Sequence, residues 1–339
     1  MPRAGSGRAG TRGDAIERPR PAVPWARRIA AVEEPRLPPA IGLGTAPLAG
    51  FRTPVSEEDA AAAVEAALEV GYRYFDTAPL YGYGLAERRL GRALQGCDAD
   101  VKVSTKVGRL IDVAAPRPPG DLFAGDRGAA IFDFSADGVR RSLEASFERM
   151  DRTYVDVAFI HDPDDHARQA LAEAYPALEQ LRAEGAVGAI GVGMNRPALP
   201  TRFVTETDID VVLIAGRYTL LDREAEEELF GAAVARGVHL VVGGVYNSGV
   251  LTGVAGRRTF DYEPASQEIL ERTRRLRSVC EEFDVPLPVA AAQFVARHEA
   301  VGTVLIGAGS AREAVENWEH LHRPLPGGLW PALEAGAGR

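Results

Sequence analysis

Lysine is nearly missing from this chain. Of 39 basic residues only Lys102 and Lys106 are lysines, and every other one is an arginine. Arginine serves here wherever a positive charge will do. A lysine retained at a strand end therefore points to work that needs a compact, tunable ammonium rather than a planar guanidinium. Cysteine is as scarce: Cys97 and Cys280 stand alone, without the spacing of a disulfide framework or a metal site. No apolar run reaches the roughly 18 residues of a membrane span. Positive charge is in deficit, and a net charge of −9 argues against nucleic-acid or membrane-surface binding. The start of the chain has no signal-like apolar stretch. A cytoplasmic protein with a small-molecule partner is the expectation, with oligomeric state left open.

What is present is a rhythm. The 339 residues, 46% of them hydrophobic, suffice for one large barrel or two ordinary domains. Residues 1–34, rich in Pro, Gly and Arg, read as a disordered tail. From there to residue 339 the pattern is that of a single barrel with a C-terminal extension. Strand-like runs at 41–43, 72–75, 101–104, 155–160, 187–192, 211–214, 238–242 and 303–306 alternate with helical patterns. The helices are expected near 57–70, 86–95, 136–150, 169–184, 197–206, 223–236, 266–283, 288–298 and 311–322. Ser56 reads as an N-cap, and Gly71, Gly185 and Gly237 as C-terminal glycines. Eight such units predict the α/β class and a (β/α)8 TIM-type barrel with extended βα loops. The rival doubly wound fold needs three spaced glycines. Gly42–Gly44, Gly82–Gly84, Gly191–Gly193 and Gly307–Gly309 each supply two, but Pro47, Glu87, Arg196 and Arg312 occupy the third place. The stretches 108–134 and 245–265 follow the third and seventh strands, where barrel loops shape a site.

Functional groups of a barrel project from the C-terminal strand ends. There stand Asp76 after strand two with Tyr81 just beyond, Lys106 after strand three and His161 after strand four. An ammonium beside a phenol favours phenolate, and a paired carboxylate keeps that ammonium charged in a pocket. Asp76, Lys106, Tyr81 and His161 together make a proton-transfer group beside an alcohol or carbonyl, and hydride then needs a separate carrier. Each residue also has a plain structural reading. Asp76 suits a turn or cap, His161 a loop hydrogen bond, and Tyr83 is as visible a phenol as Tyr81.

The segments Gly71-Tyr72-Arg73-Tyr74-Phe75-Asp76-Thr77-Ala78 with Tyr81-Gly82 and Glu87-Arg88-Arg89-Leu90-Gly91 resemble the first signature of the aldo-keto reductase family. Ser104-Thr105-Lys106-Val107-Gly108 and Asp156 through His161-Asp162-Pro163 resemble its lysine and histidine segments. The resemblance covers roughly residues 38–325. It implies Asp76, Tyr81, Lys106 and His161 as the catalytic set, and a nicotinamide dinucleotide bound without a Gly-rich Rossmann loop. Asn195 matches a carboxamide-binding asparagine; Tyr218 lies where many members carry glutamine. Gly243 replaces the ring that stacks on nicotinamide. Asn247, Ser248, Gly249 and Leu251 are then expected near pyrophosphate. Gly44, Thr45, Gly307, Gly309 and Ser310 complete the expected cofactor set, with Glu316 and Asn317 at adenosine. Glu313 near a 2′-phosphate would repel it, so NAD is favoured; Arg312 turned inward keeps NADP open. The segments 215–222 and 246–249 resemble the branch that oxidises C1 of aldoses such as L-fucose, D-arabinose and L-galactose, with pyridoxal-oxidising members nearby. An NADPH-dependent aldehyde or ketone reductase and a cofactor-binding regulatory subunit are the alternatives.

Overall fold

Eight runs dominated by apolar and β-branched residues pair side by side into one closed parallel barrel. They are β1 Ile41–Gly44, β2 Tyr74–Asp76, β3 Lys102–Val107, β4 Val155–His161, β5 Val187–Met194, β6 Val211–Ala215, β7 His239–Gly243 and β8 Val301–Gly307. Each pairs with its neighbour in sequence, and β8 closes on β1 through Gly44 opposite Gly307. The computed structural model describes residues 37–51, 53–118, 120–123, 128–253 and 258–336. The tail expected over 1–34 lies outside the described residues. None of their helices is long and apolar enough to cross a membrane.

The strands read as nearly continuous hydrophobic runs because both faces are covered. Tyr74, Val157, Phe159, Ala189, Val211, Leu213, Val241 and Leu305 fill the barrel interior. Phe75, Val103, Ala158, Ile160, Ile190, Val192 and Val212 face outward into the helix layer. That layer comprises α1 Glu57–Val70, α2 Leu85–Ala93, α3 Ala136–Met150, α4 Tyr175–Ala183, α5 Ala198–Glu206, α6 Leu229–Arg236, α7 Gln267–Glu282, α8 Leu287–Ala296, α9 Ala311–His322 and α10 Leu329–Gly336. Ser56 caps α1 by accepting from Asp59 N at 3.0 Å, and Gly237 ends α6 at φ 67°, where a side chain would be strained.

Three departures from the sequence expectation have local causes. The helix expected over 169–184 opens with a π-helical turn at Ala170–Ala174, just before Pro176, which has no N–H for the ladder. Strand β3 runs on through Thr105, Lys106 and Val107, the first two being polar residues that resemble a loop until their partners are known. The stretch 108–134 contains a two-stranded hairpin, Arg109–Asp112 with Ala129–Phe132, and a second hairpin joins Thr259–Phe260 to Glu263–Pro264.

Candidate active site

Register brings the ionisable residues together. Gly44 pairs with Asp76, Asp76 with Ser104, and Lys106 with Phe159, so Asp76 and Lys106 point inward at one level of the mouth. Lys106 Nζ donates to Asp76 Oδ2 at 2.7 Å, to the Thr77 carbonyl at 2.9 Å and to Tyr81 Oη at 3.0 Å. All three ammonium protons are thus directed, and both members of the ion pair are almost fully buried. Tyr81 reaches the ammonium because Gly82 turns the chain at φ 61°; a Cβ there would lie 2.7 Å from the Ala49 Cβ. Tyr83 lies instead beside Asp121. His161 ends β4 with its ring edge-on to Tyr81, centroids 6.0 Å apart.

Burial dominates the electrostatics. It pushes the Tyr81 phenol up to about 12 despite the opposing pull of Lys106, so the expectation that the ammonium would lower it describes only the smaller contribution. Burial also pulls the Lys106 ammonium down, but the Asp76 charge and its hydrogen bonds to Asp76 and Tyr81 together outweigh this and raise it. His161 falls well below the ordinary histidine value through burial first, then Arg109 and Lys106. The resting site holds a charged lysine, a protonated phenol and a neutral imidazole. Such a group can give a proton to a carbonyl oxygen or, once ionised, take one from a hydroxyl.

Among the described residues, the strand ends on the opposite half of the mouth carry almost no side chains. Gly42 and Gly191, deeper in the barrel, are required by packing: a Cβ would meet the Tyr74 ring at 2.3 Å or the Val211 carbonyl at 1.8 Å. At the rim the situation reverses. A Cβ on Gly44, Gly193 or Gly243 would meet nothing closer than 3.5 Å, so protein packing does not demand glycine there. The bare floor beside Lys106 and Tyr81 leaves space for a flat ring, and the residues present fit a nicotinamide at the mouth.

Several expected cofactor contacts are spent inside the protein. Tyr218 is buried between α6 and α8 against Phe230 and Phe294, so its ring faces away from the mouth. Asn247 accepts from Thr219 Oγ1 at 2.6 Å and donates to the Gly216 carbonyl at 3.1 Å, bracing two loops instead of offering an amide. The Gly249 and Leu251 amides both donate to the Tyr246 carbonyl, and the Leu251 side chain is fully buried. Thr45 Oγ1 donates to the Asp76 carbonyl at 2.9 Å. Asn317 is held between the Gly307 carbonyl and Tyr246 Oη. Ser248 pins the second hairpin by accepting from Tyr262 N at 3.0 Å. Asn195 is exposed at the end of β5, and Gly307 and Gly309 flank the N-terminus of α9. There Ser310 Oγ accepts from Glu313 N, while the Glu313 carboxylate accepts from Gly309 N at 2.9 Å. Arg312 is exposed and turns toward Glu316, 3.8 Å away.

Other residues here lay beyond the sequence argument. Ser104 Oγ donates to Asp76 Oδ1 at 2.7 Å and lies 2.8 Å from Tyr74 Oη, extending the network inward. Their strand alternation could have shown them facing Asp76. Arg109 and Asp162 pair at 2.7 Å beside His161. Arg217 ties the Asn195 carbonyl, Asp222 and Asp261 together, anchoring the hairpin that carries Tyr262. Tyr262, Phe51 and Phe123 form an aromatic rim near Tyr81. No local motif marks these loop residues.

The model of the Aldo/keto reductase family matches residues 40–335. The chain is 40% identical over 318 residues to pyridoxal 4-dehydrogenase from Microbacterium luteolum, covering 87% of this chain and 93% of that one. It is 38% identical over 305 residues to D-threo-aldose 1-dehydrogenase from a Pseudomonas species, again covering 87% and 93%. Among solved structures, the holo form of aldo-keto reductase AKR11C1 from Bacillus halodurans superposes with a TM-score of 0.70 at 25% identity, covering 88% of this chain and 92% of that one.

Proposed function

The chain belongs to the aldo/keto reductase family and is an oxidoreductase; on that premise we propose that it oxidises the anomeric hydroxyl of an aldose to the lactone with NAD. The observation that carries the reading is Lys106, held between Asp76 at 2.7 Å and Tyr81 at 3.0 Å, beside a glycine floor. The sugar lies at the mouth with its C1 hydroxyl between Tyr81 and His161, its apolar face toward the aromatic rim. Lys106 stabilises Tyr81 as phenolate, and Tyr81 takes the hydroxyl proton as the C1–H bond breaks. Asp76 keeps Lys106 charged and aimed. Neutral His161 hydrogen-bonds the reacting oxygen and orients it. The bound nicotinamide dinucleotide supplies the hydride acceptor that no side chain can provide. Asn195 and the backbone at Gly44, Gly307 and Gly309 would border the cofactor. Glu313, already receiving the Gly309 amide at the start of α9, occupies the ground a 2′-phosphate would need.

The similarity to a pyridoxal-oxidising enzyme favours a second substrate within the same chemistry. Pyridoxal carries an aldehyde beside a hydroxymethyl group and closes to a cyclic hemiacetal, as an aldose does. The common substrate class is then a cyclic hemiacetal, and the common product a lactone.

NADH absorbance with L-fucose, D-arabinose, L-galactose and pyridoxal tests the proposal, and silence with all four refutes it. Tyr81→Phe should cut turnover by about 10²–10⁴-fold while NAD binding persists. A variant that keeps most of its rate removes Tyr81 from the proposed role.

A further inference from the structure

We infer that Arg109 and Asp162 form a hydroxyl-recognition pair that reads the substrate oxygen on the carbon next to the reacting one. The inference rests on the reading that the chain oxidises a cyclic hemiacetal. An aldose carries such an oxygen on C2; pyridoxal carries its phenolic hydroxyl one carbon farther from the reacting centre.

The two residues arrive from different elements. Arg109 opens the hairpin after β3, and Asp162 is the first residue beyond β4. Arg109 Nη2 lies 2.7 Å from Asp162 Oδ2, and the same carboxylate oxygen lies 3.4 Å from His161 Nε2. The line of polar groups therefore continues from Tyr81 through His161 to the pair. With the reacting oxygen held between Tyr81 and His161, the hydroxyl oxygen on the neighbouring carbon falls about one hydrogen bond farther along, at Arg109 and Asp162. A guanidinium donates and a carboxylate accepts, so together they match a hydroxyl, which does both.

The pair is built rather than incidental. Arg109 is 9% exposed, and its buried Nε has no hydrogen-bond partner among the described residues. Its guanidinium lies over the Phe132 ring, 5.0 Å from the centroid, which fixes the plane of the fork. Asp162 holds a left-handed backbone at φ 41°, tied down by its amide on the Gly193 carbonyl at 3.0 Å. Burial works against both charges, lowering the arginine and raising the aspartate. A partly buried pair of this kind, with the Asp162 side chain 28% exposed, adds little stability over apolar residues of the same volume. A ligand that completes its hydrogen bonds gives it a use.

Asp162→Asn keeps the shape and tolerates the same backbone; Arg109→Met keeps most of the length without the charge. The assay is kcat/KM for L-fucose against 2-deoxy-L-fucose, and for D-arabinose against its 2-deoxy analogue, with the NAD Kd measured for every variant. The unaltered enzyme should prefer the hydroxylated sugars by about 10–100-fold, the factor of one buried polar group left unpaired. Each variant should reduce that preference to about threefold or less, with the NAD Kd and the rate on deoxy sugars nearly unchanged. Equal losses on both sugars, or an intact preference, overturn the proposal. Should Arg109→Met fail to fold, Asp162→Asn decides alone. Failure of the functional reading is distinct: the unaltered enzyme would oxidise none of these sugars.

Discussion

Replacing Lys106 by methionine strands the Asp76 carboxylate in a site from which water is almost wholly excluded. Both side chains of the pair are 2% exposed and 2.7 Å apart, and the remaining hydrogen bond from Ser104 reaches only one carboxylate oxygen. Breaking a buried pair by removing one partner costs about 3–5 kcal/mol, which for a domain of this size lowers Tm by roughly 6–12 °C. The uncompensated Asp76 then gains an elevated folded pKa. A carboxyl raised above its unfolded value contributes stability that is present at low pH and lost as pH rises, so the Tm gap to the unaltered protein should narrow from pH 8 to pH 5. Adding Asp76→Asn removes the stranded charge while leaving Ser104 an acceptor. Thermal unfolding of the double variant should recover at least half of the lost Tm, yet its dehydrogenase activity should stay down by about 10²-fold or more, because no ammonium faces Tyr81. A single variant as stable as the parent at pH 8, or a double variant less stable than the single one, refutes the electrostatic account of the pair.

The elevated Tyr81 phenol fixes a pH dependence. Only the deprotonated phenol accepts a proton, so kcat/KM for oxidation should climb by up to about tenfold per pH unit from pH 7 to 9, whereas reduction in the reverse assay should stay nearly flat. Because His161 is held below its ordinary value, no further step should appear between pH 6 and 7 in either direction. For cofactor choice, Glu313→Gln keeps the hydrogen bond to Gly309 and deletes the charge; the ratio of NADP to NAD dissociation constants should fall by about tenfold. An unchanged ratio would remove Glu313 from discrimination.

The barrel was legible in the sequence because the strands, covered on both faces, carry dense apolar runs, and several helices open on a serine cap. The helices over 57–70, 136–150 and 311–322 begin at serines whose side chains accept the first-turn amides, as Ser56, Ser135 and Ser310 do. Strand ends were harder, since Thr105 and Lys106 look like loop until Glu87 and Asp76 are seen to satisfy them. Asp76, Lys106 and His161 stood out by residue type at strand ends, with Tyr81 in the turn just beyond the second strand. The cofactor side did not read as well. Asn247 and Asn317 have the polarity of ligand contacts, and only the folded chain shows that Thr219, Gly216, Gly307 and Tyr246 already use their amides. Arg109 opens a short hairpin strand, and Asp162 and Tyr262 sit in connecting turns, segments without periodicity where nothing local distinguishes a pocket wall from a surface.

The mouth divides the work between its two halves. On β2, β3 and β4 the inward rim positions carry Asp76, Lys106 and His161; on β1, β5, β6 and β7 they carry Gly44, Gly193, Ala215 and Gly243. The polar half can afford buried charge because each group is tied to another: Tyr74 to Ser104, Ser104 to Asp76, Asp76 to Lys106, Lys106 to Tyr81. The bare half needs no such network, since an aromatic ring laid on glycine meets backbone and space. A bulky residue at Gly243 should therefore spare the tetrad and fill the floor. Gly243→Leu, with ordinary backbone and open room for its first carbon, should fold normally yet weaken NAD binding by about tenfold or more. Unchanged NAD affinity in a folded Gly243→Leu protein would place the nicotinamide elsewhere, and with it the entire division of the mouth.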